Sequence, residues 1–180
     1  MKQLFNKFIK PFKIYFFILF ALFFSSGNCF AQGIYQSKED FLNTVFIDSE
    51  YKPKSLWLDQ KFLDQAENIL GHPFSGFRVR YWSHNGENAW IIDEIGKDRP
   101  ITVGVFIQDD KISRVSILAF RESRGWEVKN NFFTRQFKQA FLRNDDSLSN
   151  RIDGISGATL SVRAVKKAAA LALYFNQHAS

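Results

Sequence analysis

Cysteine is nearly absent from this chain: Cys29 is the only one in 180 residues. A chain cut after Ala31 has none. That excludes disulfides, a thiol nucleophile, and cysteine-ligated zinc or iron–sulfur centres. Two catalytic spellings are also missing. A hydrolase elbow needs Gly-x-Ser-x-Gly, but Gly154-Ile155-Ser156-Gly157 is followed by Ala158, and no Asp lies downstream. The Gly-Lys-Ser/Thr of a phosphate-binding loop does not occur. His72, His84 and His178 show no metal-ligand spacing, so no metal site is expected. No general base or nucleophile toward a substrate stands out, and no catalytic residue is assigned.

Acidic residues are missing before Glu39, whereas Lys2, Lys7, Lys10 and Lys13 crowd the first thirteen positions. The formal charge of +6 therefore belongs mostly to the N-terminus. The remaining chain is close to balanced and carries no electrostatic footprint for nucleic acid. The basic stretch MKQLFNKFIKPFK leads into the apolar run IYFFILFALFF, residues 14–24, and then SSGNCFAQG. That is the order of a secretory signal peptide. The run is short for a membrane span, which needs about 20 apolar residues. Cleavage is expected after Ala31, giving an extracytoplasmic (periplasmic) protein, or a membrane-anchored one if the segment is kept. A lipoprotein signal at Cys29 is the weaker alternative, because Asn28 stands where a small residue is wanted. The expected organisation is a signal peptide over residues 1–31, an N-terminal helical segment over 32–74 and a main domain over 75–180.

In the segment 32–74, Ser37 and Asp40 form a capping box for a short helix to Phe46. Ser55 is expected to cap a second helix, with Leu56, Leu63, Ala66 and Leu70 near one face, ended by Gly71 and Pro73. The period then changes. FRVRYWS alternates, Asn85-Gly86 is a hairpin turn, and AWIIDEI returns. ITVGVFIQ, a turn at Asp109-Asp110, and ISRVSILAF complete an antiparallel meander over 77–120. Helical spacing resumes at GWEVKNNFFTRQFKQAFL, where Trp126, Phe133, Phe137 and Phe141 are expected to share a face. A polar loop containing Asp145-Asp146 follows. The last helix is expected from Thr159 to Phe175, with Val162, Val165, Ala169 and Leu173 inward. This is an α+β pattern: an antiparallel β-meander packed with helices.

The stretch RIDGISGATLSVRAV, residues 151–165, sets Ser156 and Thr159 around Gly157-Ala158 at the mouth of that helix, after Asp153. Two readings are open. Ser156 or Thr159 caps the helix while Gly157 turns the chain, or something must approach one of the hydroxyls closely. DGISGAT resembles the Asp-x-x-Ser/Thr-Gly-Ala-Thr motif of the FMN-binding domain family, which includes the FMN-carrying subunits of the Rnf complex and of the sodium-pumping NADH:quinone reductase. The resemblance implies Asp153 as the motif acid, Ser156, Gly157 and Ala158 as the approach, and Thr159 as the acceptor of FMN in phosphoester linkage. It also implies a separate flavin transferase that uses FAD and releases AMP. The residue types suit this chemistry. A phosphoester needs an alcohol, and a helix N-terminus favours phosphate.

A second segment, ILAFRESRGWEV, residues 117–128, is similar to the strand–Glu-x-x-Gly segment of the family, with Glu122 and Gly125 at the matching positions. Ser123-Arg124 stand where the better-known subunits have Thr-Pro. The resemblance is taken to cover the C-terminal half of the chain, about residues 75–175. A flavin ring stacks on aromatics. Trp82, Trp90 and Trp126 are therefore candidates against a core-packing alternative, with Trp126 foremost for its place beside the Glu-x-x-Gly segment. The expected function is an extracytoplasmic electron-transfer flavoprotein module, rather than a stand-alone enzyme, with covalent FMN and a membrane-bound electron donor or acceptor. The rivals are a secreted non-redox binding or structural domain of the same fold, and a domain that binds FMN without a covalent bond.

Overall fold

The computed structural model describes residues 33–179. The expected signal peptide, its cut after Ala31, and Cys29 lie outside them. Within them the chain runs β1 (Gly33–Ile34), α1 (Lys38–Val45), β2 (Lys52–Trp57), α2 (Gln60–Leu70), β3 (Arg78–His84), β4 (Glu87–Ile95), β5 (Pro100–Gln108) and β6 (Lys111–Phe120). A 3₁₀ turn (Trp126–Lys129), α3 (Asn131–Thr134), another 3₁₀ turn (Arg135–Phe137) and α4 (Thr159–Asn176) follow. The strands form one sheet in the order β1-β6-β5-β4-β3-β2, antiparallel throughout. The fold is α+β.

The meander over residues 77–120 supplies the four consecutive strands β3–β6. Its tight turns need left-handed backbone at two successive positions, as in a type I′ hairpin. Asn85 and Gly86 have φ of 46° and 84°, and Asp109 and Asp110 have 50° and 57°. Period-2 alternation then separates two cores. On one face Trp82, Ala89, Phe106 and Leu118 pack with Phe41, Leu42 and Phe46 from α1 and its C-terminal end. Gly104 makes this possible, because a Cβ there would sit 2.8 Å from the Phe41 ring. On the other face Tyr81, Trp90, Val103 and Val105 pack with α2 and α4. Val162, Val165, Ala169 and Leu173 are all buried there, as the helical spacing required.

Two expectations are corrected. Ser55 caps nothing: residues 52–57 are the edge strand β2, paired with β3 from Lys52↔Ser83 to Trp57↔Arg78. Pro53 fits an edge position, where one side of the strand needs no donor. The helix begins only at Gln60, with Asp59 accepting from the Phe62 N–H at 3.0 Å, and Gly71 ends it at φ 71°. The helix expected after Gly125 is also broken. Asn130 is extended (φ −70°, ψ 144°), Lys138 leaves the helical region, and Gln139 takes φ 64°. Phe133 and Phe137 are buried edge to face, while Trp126 and Phe141 are about half exposed.

Trp90 ties the sheet to α4. It is fully buried, stacks on Tyr81 at 4.5 Å, and donates Nε1–H to Asn176 Oδ1 at 3.2 Å. The same oxygen accepts from Asn88 Nδ2 at 2.9 Å. Trp90→Ala is expected to cost about 3–5 kcal/mol through lost burial and a cavity. Trp90→Phe, which removes the indole donor and part of the ring, should cost less. Chemical denaturation of both variants measures the difference.

Candidate functional site

Chain direction changes sharply just before α4. The Ala158 N–H donates to the Ile155 carbonyl at 3.0 Å, closing a four-residue turn with Gly157 third at φ 80°. That is the pattern of a type II turn, which requires positive φ at this position. A Cβ on Gly157 or on Gly154 would meet nothing within 4 Å. The glycine at 157 is there for its backbone angle, and the space beside it is open to an incoming molecule.

Ala158, which is buried, is the N-cap residue of α4, and no side chain caps the helix. Neither Ser156 nor Thr159 takes the capping role that one reading gave them. Thr159 is the first helical residue, and both it and Ser156 are exposed. The first-turn N–H groups of such a helix have no intrahelical acceptor. The hydroxyl of Thr159 therefore stands at the positive end of an 18-residue helix with its side chain free of capping duty.

The two segments singled out in the sequence meet through Gly125. Its φ is 90°, and a Cβ there would lie 2.3 Å from Ser161 Oγ and 3.4 Å from Ala158 Cβ. Gly125 is thus the backbone wall against which the start of α4 rests. Glu122 faces elsewhere. Its Oε1 accepts the backbone N–H groups of Lys97, Asp98 and Arg99 at 2.6, 2.7 and 2.8 Å. Partial burial pushes its carboxyl up, but the Arg99, Asp98 and Lys97 amides and the Lys97 charge outweigh that and hold it below the usual glutamate range. Glu122 therefore fastens the β4–β5 turn to the segment that carries Gly125. Asp153 is exposed; its carboxylate lies 3.4 Å from Arg151 Nε, and its N–H donates to Gln136 Oε1 at 2.8 Å.

The Glu122 arrangement has a measurable acid-side signature. A carboxyl depressed on folding contributes stability that is present above its unfolded pKa, near 4.5, and is lost as pH falls through the lower folded value. Glu122→Gln is expected to cost about 1–3 kcal/mol at pH 7, as a partly exposed charge-assisted cluster. The variant should also flatten the loss of stability below about pH 4.5. Denaturation curves at neutral and acid pH for both proteins test this.

Of the three candidate tryptophans, Trp82 and Trp90 are core residues. Trp82 belongs to the α1 face and Trp90 to the α4 face. Trp126 is 48% exposed, directly after Gly125, with Lys129 Nζ 5.2 Å from its ring centre. Among the three, it alone leaves a ring free for a flat ligand.

Thr159 also opens onto a depression of about 460 Å³ that sequence reading missed. Arg163 and Lys166 line it from α4, over Leu148, Ile152 and Val162. The signal was present in the spacing: 159, 163 and 166 lie at i, i+4 and i+7, one face of a helix. Arg163 and Lys166 have no ion-pair partner among the described residues. An alcohol, an uncapped helix N-terminus and two uncommitted cations form a donor set that fits a phosphate monoanion.

Lys167, at the back of the depression, is committed. It donates to the Leu70 carbonyl and lies 3.9 Å from Glu94. Glu94 is buried, and both its oxygens are 3.1 Å from His72 Nε2. The Pro73 carbonyl on Nδ1 and the Glu94 carboxylate on Nε2 together raise the His72 pKa, against an opposing effect of partial burial. The cluster pins the end of α2 to the sheet and to α4.

Among the described residues no group of three His, Cys, Asp or Glu side chains is placed to hold a metal ion, and no helix is long and apolar enough to cross a membrane. Residues 96–174 match the model of the FMN-binding domain. No curated protein and no solved structure gives a match to the chain.

Proposed function

We propose, from the match of residues 96–174 to the FMN-binding domain model, that this chain is an extracytoplasmic flavoprotein that holds FMN by a phosphoester to Thr159. It relays electrons between membrane-associated redox partners. The observation that carries this reading is the exposed Thr159 hydroxyl on the first residue of α4, which no side chain caps. A helix start built for stability alone would use its hydroxyl residue as the cap.

Attachment is a phosphoryl transfer. The Thr159 Oγ–P bond forms, the pyrophosphate P–O bond of FAD breaks, and AMP leaves with the hydroxyl proton. The flavin transferase is the maturation partner. Ser156, Gly157 and Ala158 form the low-bulk approach to the hydroxyl. Asp153 is exposed on that approach, where it is available to position a metal of the transferase or to take up the proton. The first-turn N–H groups of α4, Arg163 and Lys166 would hold the phosphate of attached FMN. Trp126 offers a ring face to the isoalloxazine, and Gly125 and Glu122 hold the backbone that presents it. Bound FMN supplies one- and two-electron redox chemistry; the protein fixes its place.

The test is the intact mass of protein secreted by its native host, with the flavin content of the supernatant after denaturation. A gain of one FMN less one water on the denatured chain is the expected result. Unmodified protein with FMN in the supernatant would overturn the covalent linkage and leave a dissociable flavin domain. Unmodified protein with no flavin anywhere would leave the non-redox reading.

A further inference from the structure

A second concavity, larger than the depression at Thr159, lies elsewhere. It is an open groove of about 1100 Å³ on the α1 side of the sheet, bounded by β5, β6, α1 and the segment around residues 129–138. Arg114, Lys129, Arg135 and Lys138 stand around it, and no Asp or Glu lines it. None of the four has an ion-pair partner among the described residues. Beyond residue 13 the whole chain is nearly balanced, with 20 basic and 18 acidic side chains. Four uncompensated cations around one groove are therefore a local concentration and not the spill-over of a basic protein.

One lining residue of the groove, Lys129, also reaches Trp126. Lys129 Nζ lies 3.9 Å from the Tyr35 ring centre on the groove side and 5.2 Å from the Trp126 ring centre on the other. Trp126 follows Gly125, whose backbone abuts Ser161, two residues beyond Thr159. We propose that this groove is the docking site for an acidic protein segment of the redox partner, which is thereby held beside Trp126. The inference deepens the flavoprotein reading and rests on it for what the partner exchanges.

The chemistry selects the occupant. All four cations are exposed, so a single small anion would stay hydrated and gain little from any one of them. A chain bearing several carboxylates meets all four together, is steered in by the local field, and is released by salt. A flat anionic membrane cannot enter a concavity and would be read by a convex face instead.

The test uses the full secreted chain and a fluorescein-labelled deca-glutamate peptide, followed by anisotropy at low and high salt. Two variants are compared with wild type. Arg114→Gln/Arg135→Gln/Lys138→Gln removes three of the four groove charges and keeps Lys129 on its aromatic partners. Lys52→Gln/Lys61→Gln/Arg80→Gln removes the same charge from β2, α2 and β3, away from the groove. Saturable, salt-sensitive binding is expected for wild type and for this control variant, with at least a tenfold loss in the groove variant. Equal weakening in both variants overturns the site, because net charge then explains the binding. So does a groove variant that loses capture by phosphatidylserine vesicles yet binds deca-glutamate as wild type does. Intact mass on the same samples separates this inference from the flavin reading. The FMN increment should be the same in all three proteins. Its absence from all, with groove-dependent peptide binding intact, would sink the flavin reading and leave an acidic-segment site of another purpose.

Discussion

Thr159→Val protein from the native host is expected to emerge with no FMN increment and no flavin retained after denaturation, while Thr159→Ser keeps both. The argument rests on what the substitution leaves alone. Valine matches threonine in shape and is also β-branched, so the first helical residue keeps its backbone preference. The side chain is exposed and caps nothing, so the change in stability should stay within about 0.5 kcal/mol. Loss of flavin therefore cannot be ascribed to unfolding, and a melting curve run alongside checks that. Serine restores the alcohol and nothing else, so its recovery identifies the hydroxyl as the acceptor. Flavin retained covalently in Thr159→Val would move the attachment elsewhere, with Ser156 the nearest alcohol in the motif.

Gly125→Val is expected to lower stability by about 3 kcal/mol or more, roughly 10 °C in Tm for a domain of this size. Two causes add. The backbone at φ 90° is strained for any residue with a Cβ, and more so for a branched one. The new Cβ would also stand 2.3 Å from Ser161 Oγ and 3.1 Å from Ser161 Cβ. Rotation about χ1 can carry Ser161 Oγ away but not its Cβ, so the first turn of α4 must still give way. Thermal melts of Gly125→Ala, Ser161→Gly and the double variant separate the causes, because the double variant keeps the φ strain and removes the overlap. Partial rescue in the double variant is the expected result. A Gly125→Ala protein as stable as wild type would remove Gly125 as the wall behind α4. The same displacement should reduce flavin attachment in whatever fraction of Gly125→Val folds, since Thr159 lies on that turn.

Both experiments read one arrangement that the sequence showed only in pieces. DGISGAT was legible because each of its features is local. A turn residue, an alcohol and the start of a 3.6-residue period lie within seven positions, and their order alone places the hydroxyl at a helix N-terminus. The Glu-x-x-Gly segment was legible as a string but not as a contact. Only the packing of Gly125 on Ser161 joins it to the motif, across more than thirty residues of intervening chain. By resemblance, Glu122 belongs to the segment that accompanies the flavin motif. The structure instead commits one of its oxygens to three amides of a turn more than twenty residues earlier.

Residues 52–57 and 126–142 mark where sequence reading failed, and the reasons differ. Lys52–Trp57 carries no strong period of its own; pairing with β3 makes it a strand, and that pairing is decided by a partner the local pattern does not contain. In 126–142 the aromatic spacing was helical, but Asn130 and Lys138 take extended backbone and Gln139 a left-handed turn. Tertiary burial of Phe133 and Phe137 outweighed continuity of the helix.

By itself, then, the sequence determined the meander, the last helix and the place of Thr159 upon it, because alternation, turn chemistry and helical period act between near neighbours. Tertiary structure decided that Trp126 stays exposed while Trp82 and Trp90 are buried, that Leu148 and Ile152 complete the depression beside Thr159, and that four distant cations share a groove. Those facts depend on which surfaces the sheet and its helices cover, and coverage is a property of the assembled layers.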